Sequence, residues 1–262
     1  MAPAPSRANV VSSFTLVKGT MIPETHAVFA AWDLGQSKHE NLDRLRRDNF
    51  IGGRSATWLR DVAKVLNRRF EPDGRDRPLV LLAKGGCPLD EWKAILLWHI
   101  TRDEFLLRDF LVNWLFPQFE AGLFRLRPED LDEFLATIRD RGGETEHAWS
   151  ETTRRRVAVG LLKAAADFGI LKGSIHREFA SFHLPERSFL YLLHAMRDEH
   201  VSPARVIEAP DWRMFLMGPD DVERELLRLH QFKKLNYEAA GSLLQLTLPE
   251  SSALAYAETM AP

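Results

Sequence analysis

Apolar residues recur every three or four positions along most of this chain, and short stretches rich in proline or glycine separate these segments. Such spacing places the apolar side chains on one face of a helix, so it predicts a mainly α, multi-helical fold. The predicted helices cover residues 23–34, 38–49, 55–69, 89–101, 104–120, 128–141, 150–168, 186–200 and 219–231. Two further runs, at residues 234–237 and 243–248, flank Gly241 and Ser242 and predict a short hairpin.

Two breaker-rich stretches divide the predicted helices into three groups. Residues 71–78 contain two prolines and a glycine, and residues 141–144 contain paired glycines; both compositions interrupt helices. We therefore predict a helix-turn-helix-like N-terminal module at residues 1–74 and a central helical bundle at residues 75–145. The C-terminal module, residues 146–262, combines helices with the predicted hairpin and could form a winged helix.

The overall composition restricts the class of protein. The 262 residues are 45% hydrophobic and 27% charged, as in ordinary soluble globular proteins. A single cysteine excludes an internal disulfide and any zinc site that needs two thiolates. The uncharged stretch at residues 239–249 is shorter than the roughly 20 apolar residues of a membrane-spanning helix. Because the N-terminal sequence also lacks the pattern of a secretory signal, we expect a cytoplasmic protein with no membrane partner.

Charge is unevenly distributed along the chain, although the formal net charge is only -2. Residues 37–70 carry nine Lys and Arg against four Asp and Glu, and residues 151–177 carry six against two. The intervening residues 71–150 and the segment from Glu178 onward are both net acidic. Any attraction to nucleic acid must therefore come from the two basic segments rather than from the whole molecule.

The first basic segment has the order helix, tight turn, helix, with Gly52 and Gly53 in the turn and Ser55 as a typical N-cap of the second helix. Five apolar residues of that helix share one stripe: Leu59, Val62, Ala63, Leu66 and Phe70. The polar residues away from this stripe can contact DNA phosphates, and those at the helix start can approach base edges. These candidate DNA-binding residues are Arg54, Ser55, Thr57, Arg60, Lys64 and Arg68. A merely solvated helix face looks the same, and Asp61 weakens the local positive potential, so both interpretations remain open.

The second basic segment opens the predicted helix at residues 150–168. Three arginines lie in or near its first turn, where the helix dipole disfavours positive charge. Glu151 or a bound phosphate could offset this cost, and Lys163 lies on the same side of the helix as Arg156. The second set of candidate DNA-binding residues is Arg154, Arg155, Arg156, Lys172, Lys233 and Lys234, the last two as part of a wing.

Residues with catalytic potential are present, but no catalytic pattern joins them. Cys87 lies in a Gly-Gly-Cys-Pro loop with no evident partner base, and the nine histidines form no HExxH or similar zinc spacing. The phosphate-binding loops of nucleotide-dependent enzymes are missing from the sequence. The acidic residues 129–133 fit a helix start. Four aromatic residues fit core packing: Phe105, Phe110, Trp114 and Phe119. We expect no enzymatic activity, no cofactor and no metal.

Four motifs along nearly the whole chain resemble the BrxA family of the BREX bacteriophage-exclusion systems. They read, in chain order, SFTLVKGTMIPET, NFIGGRSATWLR, RDFLVNWLFPQF and WSETTRRRVAVGLLKAAADFGIL. The resemblance implies a helical protein with a central part like the antitermination factor NusB and with helix-turn-helix-like flanks. It also implies binding of double-stranded DNA without catalysis, beside the methyltransferase, ATPase and phosphatase-like proteins of the defence system.

These observations together predict a protein that binds double-stranded DNA mostly through backbone phosphates and works with other BREX proteins. Two alternatives stay open. One is a protein-interaction adaptor within the defence complex, whose mark would be exposed apolar surface. The other is binding of structured RNA, because basic helices do not by themselves distinguish RNA from duplex DNA.

Overall fold

Helices form most of the structure, a computed structural model that describes residues 9–11, 18–144, 148–200, 202–241 and 243–260. The mainly α fold expected from the sequence is confirmed. The helices of the first part are α1 (Ile22–Ala30), α2 (Lys38–Asp48), α3 (Ala56–Arg69), α4 (Arg77–Lys84) and α5 (Leu89–Ile100). Next come α6 (Phe105–Asp109), a π-helical segment (Phe110–Leu115), α7 (Phe116–Glu120), α8 (Asp132–Ala136), and 3-10 turns at Pro128–Leu131 and Ile138–Arg141. The last part contains α9 (Glu151–Asp167), α10 (Glu186–Glu199), α11 (Pro203–Ile207), a 3-10 turn (Pro210–Phe215), α12 (Pro219–Gln231) and α13 (Ala253–Met260).

Two small antiparallel strand pairs complete the described structure. Strand β1 (Leu171–Lys172) pairs with β2 (Glu178–Phe179), and β3 (Asn236–Ala240) pairs with β4 (Leu243–Thr247). The second pair is the predicted hairpin, although its first strand begins two residues after the predicted start at residue 234. Gly241 lies in the turn with a φ of 61°, a left-handed conformation that glycine adopts without steric cost.

Local sequence signals account for several helix ends. Ser37 and Glu40 form a capping box at the start of α2. Ser55 accepts a hydrogen bond from the backbone N–H of Trp58 and thereby caps α3, as predicted. Ser150 caps α9 in the same way by accepting from the N–H of Thr153.

The predicted helix at residues 104–120 contains a π-helical segment that the spacing did not reveal. This segment ends two residues before Pro117, which has no N–H to donate and whose ring crowds the carbonyl four residues earlier, inside the segment. A wider turn relieves that conflict. Phe110 and Trp114 are buried here and their rings stack at 5.5 Å, as expected for core packing, whereas Phe119 is 40% exposed.

Three helices lie outside every predicted segment: α4, α11 and α13. Helix α4 begins inside the proline-containing stretch that we interpret as a breaker, because Pro78 occupies its first turn, where a missing N–H costs nothing. The other two span only five and eight residues, too short for a clear periodic pattern.

One hydrophobic cluster connects these elements. Helix α4 packs against both α1 and α13, and α10 packs against both α5 and α13. With the exception of Phe116, the buried apolar residues of the described chain join a single cluster that runs from Met21 to Met260. The three-module division at residues 74 and 145 therefore stays a prediction, as do the winged-helix and NusB-like comparisons.

No helix in the described parts of the chain combines the length and the apolar character that crossing a membrane requires.

Candidate nucleic-acid interface

The turn between α2 and α3 is fixed by a few close contacts. Asn49 ends α2 in the left-handed conformation, and Gly52 follows with a φ of 66°. The side chain of Asn49 then closes the turn: its Oδ1 accepts from the N–H of Gly53 at 2.5 Å and its Nδ2 donates to the Gly53 carbonyl at 3.0 Å. A Cβ at Gly53 would lie 2.6 Å from a methyl carbon of Leu59, so any other residue here would displace the buried Leu59 side chain.

Helix α3 separates its residues as the spacing predicted. All five apolar residues of the predicted stripe are buried, with Leu59 and Ala63 the most exposed at 4%. The six candidate DNA-binding residues of this segment are all exposed: Arg54, Ser55, Thr57, Arg60, Lys64 and Arg68. The helix therefore presents a continuous basic and hydroxylated face to solvent.

Contacts within that face orient several of its side chains. The guanidinium of Arg60 donates to Thr57 Oγ1 at 3.1 Å, and the guanidinium of Arg54 lies 5.9 Å from the centre of the Trp58 ring. Asp61, which weakens the positive potential in the sequence, forms an ion pair with Lys18 at 3.0 Å. Because Lys18 offsets this negative charge, the face is more positive than the sequence of α3 alone indicates.

A groove of about 430 Å³ runs between α2 and α3. Arg46 and His39 of α2 line it opposite Arg60 and Lys64 of α3, and its lining contains no carboxylate. Sequence spacing did not single out Arg46 or His39, and both lie within ion-pair distance of Asp43 of the same helix. The basic last turn of α2, Arg46 and Arg47, was the signal that could have identified this second wall.

The three arginines at the start of α9 have different surroundings. Arg154 is half-buried and donates to the Trp149 carbonyl at 3.0 Å. Arg155 forms an ion pair with Glu129 at 3.0 Å, so a carboxylate from the 3-10 turn, rather than Glu151, compensates its charge. Arg156 is exposed and is the arginine of this group best placed to meet an external anion.

A cavity of about 660 Å³ brings the two basic segments together. Lys163, seven residues after Arg156 on α9, lines this cavity with Trp58 of α3. Lys18 and Lys93 line it as well. Helices α3 and α9 therefore border one depression, each through residues outside its candidate DNA-binding set, a relationship between distant segments that sequence spacing could not reveal.

The remaining candidates lie apart from the start of α9. Lys172 is exposed in β1, beyond the last turn of α9. Lys233 and Lys234 are exposed between α12 and β3, and Lys234 Nζ lies 4.0 Å from Glu186 at the start of α10. In its described residues the hairpin itself contains Glu238 and no Lys or Arg. The proposed wing thus carries its positive charge before the first strand and not along the strands.

Cys87, the one residue considered as a nucleophile, is buried, and burial raises the pKa of its thiol to about 12. The thiol is therefore protonated at neutral pH, which is unfavourable for nucleophilic attack. Two histidines are also buried and hydrogen-bonded. His99 contacts Asp76 and Tyr191, and His194 contacts the Leu190 carbonyl. Among the described residues, no group of three or more His, Cys, Asp and Glu side chains is arranged to hold a metal ion.

Comparison with known proteins assigns the chain to a family. The family model described as BrxA matches residues 13–195, a span that includes α1 to α9 and most of α10. Both basic helices lie within it, whereas the β3–β4 hairpin and α13 lie outside. No curated protein matches the chain.

Proposed function

The chain belongs to the BrxA family of BREX bacteriophage-exclusion components, and we propose that it is a cytoplasmic, non-enzymatic protein that binds double-stranded DNA. The observation that carries this proposal is the exposed basic face of α3, on which all six candidate residues of the first basic segment are exposed. Cations on such a face neutralise phosphates and release counterions, a contribution that does not depend on sequence.

Backbone contacts dominate in this proposal because four of the six exposed candidate residues of this segment are arginine or lysine. The hydroxyls of Ser55 and Thr57 accept hydrogen bonds within the protein, from the N–H of Trp58 and from Arg60. The cations of the face can meet the phosphates of any sequence. We expect weak sequence preference.

The proposal is tested by fluorescence anisotropy of a labelled DNA duplex over a series of salt concentrations. With six phosphate contacts, the logarithm of affinity falls against the logarithm of salt concentration with a slope of about -5. The double variant Arg54→Glu with Lys64→Glu should reduce affinity at least tenfold at low salt. It should also flatten the slope by about 2 units, since each phosphate contact contributes about 0.9.

A matched control reverses two exposed arginines elsewhere, Arg205→Glu with Arg224→Glu, and should bind like the unmodified protein. Equal losses in both double variants would mean that only overall charge matters and would contradict the α3 site. If the α3 variant binds normally while Arg156→Glu with Lys163→Glu does not, the site lies on α9. A matched RNA duplex in the same assay tests the RNA alternative, which is supported if RNA binds more tightly than DNA.

A second candidate function, a protein-interaction adaptor, is favoured by an exposed apolar patch near β2. Phe124 is 68% exposed and Ile175 is 82% exposed. The backbone bridge between Leu126 and Arg177 brings their two segments side by side, and the ring of Phe119 lies 5.3 Å from that of Phe179. Large exposed apolar side chains gathered in one region of the surface are typical of protein interfaces. Absence of DNA binding even at low salt would leave the adaptor role, with other BREX proteins as partners.

A further inference from the structure

The cavity between the two basic helices has walls from four helices. Its volume is about 660 Å³, within the range of small-molecule binding sites. Helices α1, α3, α5 and α9 all contribute residues to it, as does the segment from Lys18 to Met21 that precedes α1. Such convergence of distant segments gives the cavity a defined shape.

Three kinds of side chain line this cavity. Its apolar wall consists of Met21, Ile22, Pro23, Trp58 and Leu89. Its cations are Lys18, Lys93 and Lys163, and its carboxylates are Glu24, Asp90 and Asp167. A ligand that satisfies all three must have an apolar face, hydrogen-bond donors and a negatively charged group.

Some of these charged groups are already paired. Lys163 forms an ion pair with Asp167 at 3.2 Å, and Thr20 Oγ1 donates to the same carboxylate at 2.9 Å. By contrast, within the part of the chain that the structure describes, the side chains of Lys93, Glu24 and Asp90 form no hydrogen bond or ion pair. One cation and two carboxylates at the cavity are therefore available to a ligand.

The wall formed by the segment before α1 is held in an unusual conformation. Gly19 and Met21 both adopt left-handed backbone angles, with φ values of 81° and 51°, and this region is unfavourable for a methionine. The buried guanidinium of Arg69 fixes the segment by donating to the carbonyls of Gly19 at 2.9 Å and Thr20 at 3.1 Å. Strain retained in this way is common beside ligand sites.

We propose that the cavity binds a single nucleotide. The base packs against Trp58 and the neighbouring apolar side chains, as bases do on aromatic residues elsewhere. Sugar hydroxyls or base amino groups donate to Glu24 and Asp90, and Lys93 pairs with the phosphate. The nucleotide is either a free mononucleotide or one nucleotide of a strand end held by the adjacent basic face. Binding of a free mononucleotide does not depend on duplex binding by α3, whereas binding of a strand end rests on the proposed function.

The first test is isothermal titration calorimetry of the full chain with AMP, dAMP, adenosine and inorganic phosphate. If the cavity is a nucleotide site, AMP or dAMP should bind at least tenfold more tightly than adenosine and at least tenfold more tightly than inorganic phosphate. Lys93→Glu and Trp58→Leu should each weaken that binding at least tenfold, whereas the exposed control Arg205→Glu should not. Circular dichroism establishes whether each variant is folded. If one of the two cavity variants does not fold, the other still tests the site.

The second test distinguishes a free mononucleotide from a nucleotide at the end of a strand. Anisotropy compares a blunt duplex with the same duplex carrying a three-nucleotide single-stranded overhang. Tighter binding of the overhang that Lys93→Glu abolishes assigns the site to a strand end, and mononucleotide binding without that preference assigns it to a free nucleotide. The variant Lys64→Glu, at a residue of the α3 face that does not line the cavity, should retain nucleotide binding, so failure of the duplex proposal is distinguishable. Absence of binding in both tests, or phosphate binding as tight as that of AMP, overturns the inference.

Discussion

At the scale of single residues, the buried ion pair between Arg69 and Glu104 has a measurable consequence. Both side chains are at most 7% exposed, and the nearest charged atoms of the pair are 4.0 Å apart. Burial raises the pKa of Glu104 to about 7 and lowers that of Arg69 to about 10, in each case against the attraction of the partner. Loss of solvation thus outweighs the ion pair at this distance.

The raised pKa of Glu104 predicts how stability depends on pH. In the unfolded chain Glu104 loses its proton near its ordinary pKa of 4.5, and in the folded chain near 7. Its contribution to stability is therefore fully present below pH 4.5 and is lost as the pH rises to 7, by at most about 3 kcal/mol. Glu104→Gln should remove this decline. Urea unfolding at pH 4.5, 5.5, 6.5 and 7.5 measures the difference, with Glu120→Gln as an exposed control. A difference between unmodified protein and Glu104→Gln that does not vary with pH would contradict the assignment.

Residue spacing predicted the burial of Leu59 and its neighbours but not that of Arg69. Arg69 lies three residues after Leu66, and this spacing already places it on the side of α3 that carries the apolar stripe. Charge alone argued for an exposed side chain. The groups that make its burial possible are the carbonyls of Gly19 and Thr20 and the carboxylate of Glu104. These partners are far away in sequence, so no local pattern could identify them.

At the scale of elements, the α2–α3 turn depends on its two glycines for different reasons. Gly53 leaves no room for a side chain beside Leu59, whereas Gly52 has a positive φ and open space around the position of a Cβ. Gly53→Ala should therefore lower the free energy of unfolding by about 1–3 kcal/mol through overpacking. Gly52→Asn should cost less, since asparagine tolerates the left-handed region. Urea unfolding of both variants checks this, and equal costs would contradict the packing argument.

The sequence identified most elements that have regular periodicity and clear caps, and α3 with Ser55 is the best example. It predicted a break at residues 71–78, where α4 in fact begins. The reason is that the same proline that interrupts a helix interior also fits a first turn. The meeting of α3 and α9 at one cavity arises from tertiary packing, so the candidate site could be predicted as two separate basic helices but not as one surface.

At the scale of the whole molecule, α13 connects the end of the described chain to its beginning. It packs on α4, which also packs on α1. The Tyr256 ring stacks on His194 at 4.7 Å, and Asp198 accepts from the N–H of Ala253 at 3.0 Å. Elements from all three predicted modules thus share contacts through α4.

This connection predicts that the chain unfolds cooperatively. Tyr256→Ala should lower stability by about 3–5 kcal/mol, since it removes a large buried side chain, and should do so within one transition. Leu254→Ala, at a position 38% exposed, should have a smaller effect. Thermal unfolding followed by circular dichroism and by tryptophan fluorescence measures both. Separate transitions for separate parts of the chain would instead support three independent modules.

The exposed face of α3 consists mainly of arginine and lysine, which attract the phosphates of any DNA, and this has a consequence for immunity against phage. A protein that grips phosphates without inspecting bases holds the chromosome of its host as readily as the genome of an invader. If α3 meets DNA as proposed, the distinction between self and foreign DNA is therefore made by another component of the defence system, and this chain supplies the hold on which that component acts.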